Sequence, residues 1–294
     1  MTVRQEAFRG ALAADRRRAI GFMIGATSAF AAASALAKLQ IGPLPVIEVV
    51  FFRSFFAWIP IVATIVALRR WPRTFILRDH FTRGVLGFLG LVSMFTALQF
   101  IPLTDATAIS YTSPLILSLL AAPLLGEKLK ASSMTVLLLG FVGVIMMFPI
   151  GSTALQVGAL FALANAVFGA FVSIAVRRMS LSEAPTTLVF YQLATSSLIS
   201  LPIVLVWGFV MPDAIGWLML AGVGGFSAVG QFCWAQAFRH GSAATVAPFI
   251  YTSLIWVVLF DWLVWSHLPG LLLLAGAAVV IVCASYTLYS SNQP

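Results

Sequence analysis

Long apolar runs dominate this chain and leave it little choice of solvent. A membrane-spanning helix needs about 20 mostly apolar residues. Ten such runs are readable, near residues 19–38, 46–68, 84–101, 104–125, 131–149, 154–176, 184–207, 214–238, 242–265 and 268–289. Of the 294 residues, 61% are hydrophobic and 9% charged, with a mean hydropathy of +1.03, so most of the length cannot face water. The runs are too long for the strands of a membrane barrel and lack their alternation. The expected fold is therefore all-α and integral to a membrane, with ten transmembrane helices. Collagen-like, disordered and disulfide-framework classes are excluded. Cys233 and Cys283 both lie in apolar runs and read as small buried side chains rather than as a disulfide or zinc ligands.

A net charge of +8 would suggest nucleic acid in a soluble protein. In a membrane chain the basic residues sort by side instead. Arg4, Arg9, Arg16, Arg17 and Arg18 precede the first run, and Arg69, Arg70, Arg73, Arg78 and Arg83 separate the second from the third. Lys128 and Lys130 follow the fourth, Arg177 and Arg178 the sixth, and Arg239 the eighth. Fifteen of the 17 Lys and Arg residues thus fall on one side, the connectors of the other side carry none, and the remaining two are Lys38 and Arg53. By the positive-inside rule both termini are cytoplasmic in a bacterial-style inner membrane, and dropping one helix would scramble the asymmetry. Nucleic acid is not an expected partner. A competing reading takes the basic residues 16–18, the apolar run after them and Ala33-Ser34-Ala35-Leu36-Ala37 as a cleavable signal peptide, which would leave nine spans.

The two halves share a plan. Tyr111-Thr112-Ser113-Pro114 recurs as Tyr251-Thr252-Ser253-Leu254, 140 residues later, and sixteen residues beyond each Tyr stand Glu127 and His267. Upstream, Asp105-Ala106-Thr107-Ala108 faces Ala243-Ala244-Thr245-Val246 with a two-residue offset that includes Pro248. An odd number of helices per half makes the copies antiparallel, the inverted repeat that lets two bundles rock about a shared midplane site. Residues 1–18 are then a basic cytoplasmic tail, 19–150 the first five-helix repeat and 151–294 the second. Pro114 and Pro248 remove a backbone donor within their helices, which marks either a gating element or a packing kink.

On these residues the sequence resembles the drug/metabolite transporter superfamily, in particular its ten-helix EamA-type carriers. The likeness rests on Arg53, on Pro102 and the stretch from Thr104-Asp105-Ala106-Thr107-Ala108-Ile109 into Tyr111-Thr112-Ser113-Pro114-Leu115, and on Gly126-Glu127-Lys128. It continues through Gly140, Gly143, Ala247-Pro248 and Tyr251-Thr252-Ser253, and covers the chain beyond residue 18. The chain departs from the family at Ser266-His267, where Gly-Glu is often repeated. The resemblance implies a carrier of small organic metabolites, with a cavity among helices 1–4 and 6–9 and helices 5 and 10 at the periphery. Aromatic and neutral amino-acid exporters of the YddG type are similar in length and layout.

Charges inside a bilayer are the most informative residues, because Arg, Lys or Asp at a helix centre costs about 2.5–3.5 kcal/mol on insertion scales. Arg53, flanked by Phe51, Phe52, Phe55 and Phe56, is suited to bind a substrate carboxylate bidentately; the alternative is an arginine clamped by Glu48 or by carbonyls. Lys38 and Glu48, on either side of the Ile41-Gly42-Pro43-Leu44-Pro45 turn, read as snorkelling residues or as an outer gate pair. Asp261 reads as a coupling-proton site or as an interfacial residue beside Trp262 and Trp265. Among uncharged groups the substrate-binding candidates are Asn165, Tyr111, Tyr251, Gln99, Ser110, Tyr191, Gln192, Gln231, Gln236, Trp234 and Trp256, with Asn165 foremost. Gly84, Gly87 and Gly90, with Gly222, Gly224, Gly225 and Gly230, allow close helix approach. No phosphate-binding loop and no His/Cys/Asp cluster with metal spacing occurs, so no cofactor, metal or enzymatic activity is expected. The reading is a secondary transporter that exports small metabolites, amino acids foremost, by alternating access. Uptake of a nucleoside-, vitamin- or adenosylmethionine-like solute is the second reading, and a non-transporting scaffold the third. Oligomeric state is not legible.

Overall fold

The computed structural model describes residues 3–69, 71–125, 131–148, 153–179, 182–240 and 247–291. These form eleven α-helices and one 3-10 segment. In chain order they are α1 (Val3–Gln40), α2 (Val46–Leu68), α3 (Leu77–Phe100), α4 (Leu103–Ser110), α5 (Ser113–Leu125), α6 (Ala131–Met147), α7 (Thr153–Met179), α8 (Pro185–Trp207) and α9 (Ala214–His240). The 3-10 segment Ala247–Thr252, α10 (Ser253–Trp265) and α11 (Leu271–Ser291) complete the chain. No strand occurs among the described residues; one isolated bridge, Ile41 to Leu44, closes the α1–α2 turn. Gly42 there has φ +117°, a conformation that any other side chain would strain.

Among the described residues, six stretches are long and apolar enough to cross a membrane: Arg17–Gln40, Val46–Ala67, Leu77–Phe100, Thr153–Val176, Thr186–Trp207 and Ala214–His240. Two boundaries differ from expectation. The first helix runs back to Val3, through the basic tail, and the third begins at Leu77 rather than 84. Arg78 and Arg83 therefore belong to α3 and not to a cytoplasmic loop. Asp79 in its first turn complements the helix dipole, which favours the earlier start.

The expected fourth helix is broken in two at Tyr111-Thr112, and the part of the ninth that is described opens with a 3-10 turn ending at Thr252. At the first break the bonds tighten: Thr112 N donates to Ile109 O at 3.0 Å and Leu115 N to Thr112 O at 3.0 Å. Thr112 Oγ1 donates to Ile109 O at 2.6 Å, and Thr252 Oγ1, 140 positions later, donates to Phe249 O at 2.7 Å. Both prolines assigned to helix interiors stand elsewhere. Pro114 is in the first turn of α5 and Pro248 in the opening turn of the 3-10 segment, where a missing N–H leaves no intrahelical bond unmade. Gly126-Glu127-Lys128 and Ala243-Ala244-Thr245-Val246 lie outside the described residues.

Packing is pairwise. α1 lies on α9, α3 on α7, and α6 on α11; α2 touches α8 and α9, and α3 touches α8. α4 and α5 lean on α7, while the 3-10 segment and α10 lean on α1, and α10 meets α4. Small residues set these distances. A Cβ at Gly224 would overlap Phe56 of α2, one at Gly230 would come within 2.7 Å of the Phe30 ring, and Gly276 meets the carbonyl of Gly143 across the α6–α11 contact. A Cβ at Gly225 would meet open space, so that glycine has no packing role.

Candidate functional site

Glycine spacing on α3 opens a cavity between the helices. Gly84, Gly87 and Gly90 recur every third residue and so share a face. A Cβ at Gly84 would lie 2.5 Å from Thr195, one at Gly87 would fall on the Gln192 amide, and one at Gly90 would lie 3.3 Å from Phe168 and 3.4 Å from Asn165 Oδ1. Stripped of side chains, this face admits polar groups from α7 and α8. The result is a cavity of about 370 Å³, within the roughly 300–1,000 Å³ usual for small-ligand sites. Six helices line it. α1 contributes Phe30 and Ser34, α2 Arg53, α3 Arg83, α7 Asn165, α8 Gln192 and Ser196, and α9 Gln231. No Asp or Glu is among the lining residues.

Arg53 makes no hydrogen bond or ion pair with any described residue. The clamp by Glu48 is not formed: Glu48 is 1% exposed, and its Oε2 accepts from the backbone N–H of Val210 at 3.2 Å. Asn165 Nδ2 donates to Ser110 Oγ at 2.9 Å, and Ser110 donates in turn to Ala106 O at 2.8 Å, so Ser110 orients the amide from behind. Gln192 Oε1 is buried with no partner. Arg83, 7% exposed, donates from Nη1 to Leu188 O at 2.7 Å, and its Nε is buried without a partner.

Four expected binding residues thus meet at one cavity: Arg53, Asn165, Gln192 and Gln231. Others are elsewhere. Tyr111 and Tyr251 are each 8% exposed and pack edge to face at 5.1 Å, with Tyr111 hydrogen-bonded to Ser253; they join the two helix breaks rather than lining the void. Gln99 is exposed near the end of α3. Tyr191 donates to Pro72 O at 3.2 Å and packs on His80, Trp234 packs against Phe30 and Phe238, and Trp256 packs on the main apolar core. Arg83 was missed as a site residue because it sits in a basic stretch and reads as a topology signal.

At the Lys38 end of the bundle two expectations are corrected. Lys38 neither snorkels nor pairs with Glu48: its side chain is 14% exposed, it donates to Ile101 O at 3.2 Å, lies 3.8 Å from Asp261 and sits over the Trp265 ring. Asp261 is not interfacial. It is fully buried, and its two oxygens accept from Leu103 N (3.2 Å) and Thr104 N (2.6 Å), capping α4 from another helix. His267 approaches Asp105 at 3.9 Å beside it. At the opposite end, Glu183 on the α7–α8 connector accepts from Thr74 at 2.6 Å and lies 3.7 Å from buried His80. No group of three or more metal-ligating side chains occurs among the described residues.

Long apolar helices packed around a cavity that several polar side chains enter fit a membrane transporter. The chain belongs to the EamA-like transporter family of the drug/metabolite transporter superfamily, whose model matches residues 17–148 and again 156–289. It is 34% identical to the pseudopaline exporter CntI of Pseudomonas aeruginosa, over 87% of this chain and 91% of that one. It is 26% identical to an S-adenosylmethionine uptake transporter of Rickettsia prowazekii (84% of each) and 27% identical to a riboflavin transporter of Vibrio cholerae (97% and 95%). A solved crystal structure 22% identical in sequence superposes with a TM-score of 0.63, over 91% of this chain and 96% of that one, which shows the fold. The Pseudomonas, Rickettsia and Vibrio relatives are each named as a transporter or exporter.

Proposed function

We propose that the chain is a secondary exporter of small amino-acid-like metabolites carrying a carboxylate, working by alternating access in a bacterial inner membrane with both termini cytoplasmic. The observation that carries this reading is Arg53: a guanidinium without a partner among the described residues opens into a cavity with amides from three helices and no carboxylate. An ionisable group at membrane depth needs a counter-charge, and a carboxylate solute supplies one with bidentate geometry. Export accords with the direction named for the Pseudomonas relative.

Ten spans in two inverted repeats supply the machinery, in this reading. The pairing of helices supports it, because the most extensive pairings recur as their own images when 19–150 is exchanged for 151–294: α1 on α9 becomes α7 on α3, and α2 on α9 becomes α8 on α3. The lean of α4 and α5 on α7 becomes that of the 3-10 segment and α10 on α1. The matching Thr112 and Thr252 hydrogen bonds fit the same relation. Two bundles so related can exchange inward- and outward-facing states about the central cavity.

Uptake of an adenosylmethionine-like or riboflavin-like solute is the second reading, favoured by the Rickettsia and Vibrio relatives. A sulfonium cation fits poorly beside two guanidinium groups. The test is counterflow in proteoliposomes with labelled amino acids, S-adenosylmethionine and riboflavin, with and without a pH gradient. Saturable exchange of carboxylate solutes alone is expected; exchange of S-adenosylmethionine or riboflavin instead would overturn the proposal. Gly87→Ala gives a sharper check on the site. Its Cβ would displace the Gln192 amide, a flexible group, so the fold persists while one hydrogen bond to a charged solute is lost. The half-saturating concentration is expected to rise roughly tenfold, from about 1.5 kcal/mol, and Gln192→Ala added to Gly87→Ala should add little.

A further inference from the structure

The cavity holds a second cationic pole, which the carboxylate reading leaves unused. Arg53 enters it from α2 and Arg83 from α3, and both line the same cavity of about 370 Å³. Two guanidinium groups facing one small void of low dielectric repel one another until anionic charge comes between them. The lining brings no Asp or Glu, and neither arginine has a carboxylate partner among the described residues. Glu48 is engaged by Val210 N, and Glu183 by Thr74, with His80 beside it. One carboxylate on the solute neutralises one pole only.

Arg83 is also held for the purpose. Nη1 is tethered to the Leu188 carbonyl at 2.7 Å, which fixes the plane of the guanidinium, while Nε is buried with no acceptor. Arg83 lines the void beside that tether, so a ligand oxygen there can accept from the rest of its guanidinium. Gln192 and Asn165 also line the void, and with Nδ2 taken by Ser110 the Asn165 amide keeps its Oδ1 as an acceptor. The middle of the site therefore asks for a donor such as an ammonium.

Resting on the proposal that this cavity is the transport site, we propose that it selects amino compounds with two separated carboxylates, one bound by Arg53 and the other by Arg83, with the amino group on Asn165 Oδ1. A single-carboxylate analogue leaves the second charge unopposed.

The test compares pairs that differ by one charge: glutamate with glutamine, and a longer N-carboxyalkyl amino acid with its monoamide, each as labelled solute in counterflow. In the unaltered protein the dianionic member of a pair is expected to exchange with at least tenfold lower half-saturation. Arg83→Gln should cost the dianion about tenfold more than its amide, and Arg83→Lys, which keeps the charge, should restore much of that preference. Arg53→Gln should weaken both members. Equal handling of both members by the unaltered protein, or equal losses on Arg83→Gln with the variant monodisperse, would overturn the dicarboxylate assignment while leaving the carrier reading intact. Exchange of no amino compound in either pair would overturn both.

Discussion

Replacing Asp261 with leucine is expected to remove most of the protein's thermal stability in detergent. The carboxylate is fully buried and has two tasks: it lies 3.8 Å from the Lys38 ammonium and accepts the first two N–H groups of α4. Taking one partner from a buried ion pair typically costs about 3–5 kcal/mol, because the other charge is stranded. Losing the cap adds about 1 kcal/mol. Against a net stability of roughly 5–15 kcal/mol, this is a large share. Asp261→Asn should be milder, since an amide oxygen can still accept one N–H. Combining Asp261→Leu with Lys38→Met should recover most of the loss, because no unpaired ammonium is left behind. Melting temperature by light scattering, for the two single variants and the double, measures the coupling. An additive double variant would show that the pair carries no coupling energy.

Arg53→Gln is expected to have the largest effect on transport. If a solute carboxylate is the counter-ion that Arg53 lacks, truncating that charged partner costs about 2–5 kcal/mol, which corresponds to roughly 30- to 4,000-fold in affinity. Stability should change little or rise, because no described protein group depends on the guanidinium. This combination separates a binding arginine from a structural one. An arginine that tied helices together would lower the melting temperature and the transport rate together. The measurement is half-saturation in counterflow beside a melting curve of the same preparation.

These expectations draw on different layers of information. The membrane class, the all-helical content and the approximate course of the helices were legible from hydropathy alone, since about 20 apolar residues have few other uses. The family was legible from helix 4 and its echo in helix 9. Asn165, Gln192 and Gln231 could be nominated because an amide in an apolar helix must find a partner, yet so could Tyr191, Gln99 and Trp256, which face elsewhere. In a soluble helix the polar face announces which side is wet. In a membrane bundle lipid and protein interior are equally apolar, so periodicity does not say which neighbour a residue meets.

The sequence by itself determined the solvent, the secondary structure and the kinship of this protein, because these depend on composition and on local order along the chain. Only the tertiary structure decided which charges are partnered. Asp261 is joined to Lys38 across more than 220 positions and to α4 across 157 or more, Glu48 accepts from Val210 and not from Arg53, which has no partner among the described residues, and Arg83 is drawn from an apparent loop into the cavity wall. Each pairing joins helices distant in sequence, and its energy depends on a few ångströms of separation in a low-dielectric interior. That distance is set by where glycines let the helices touch.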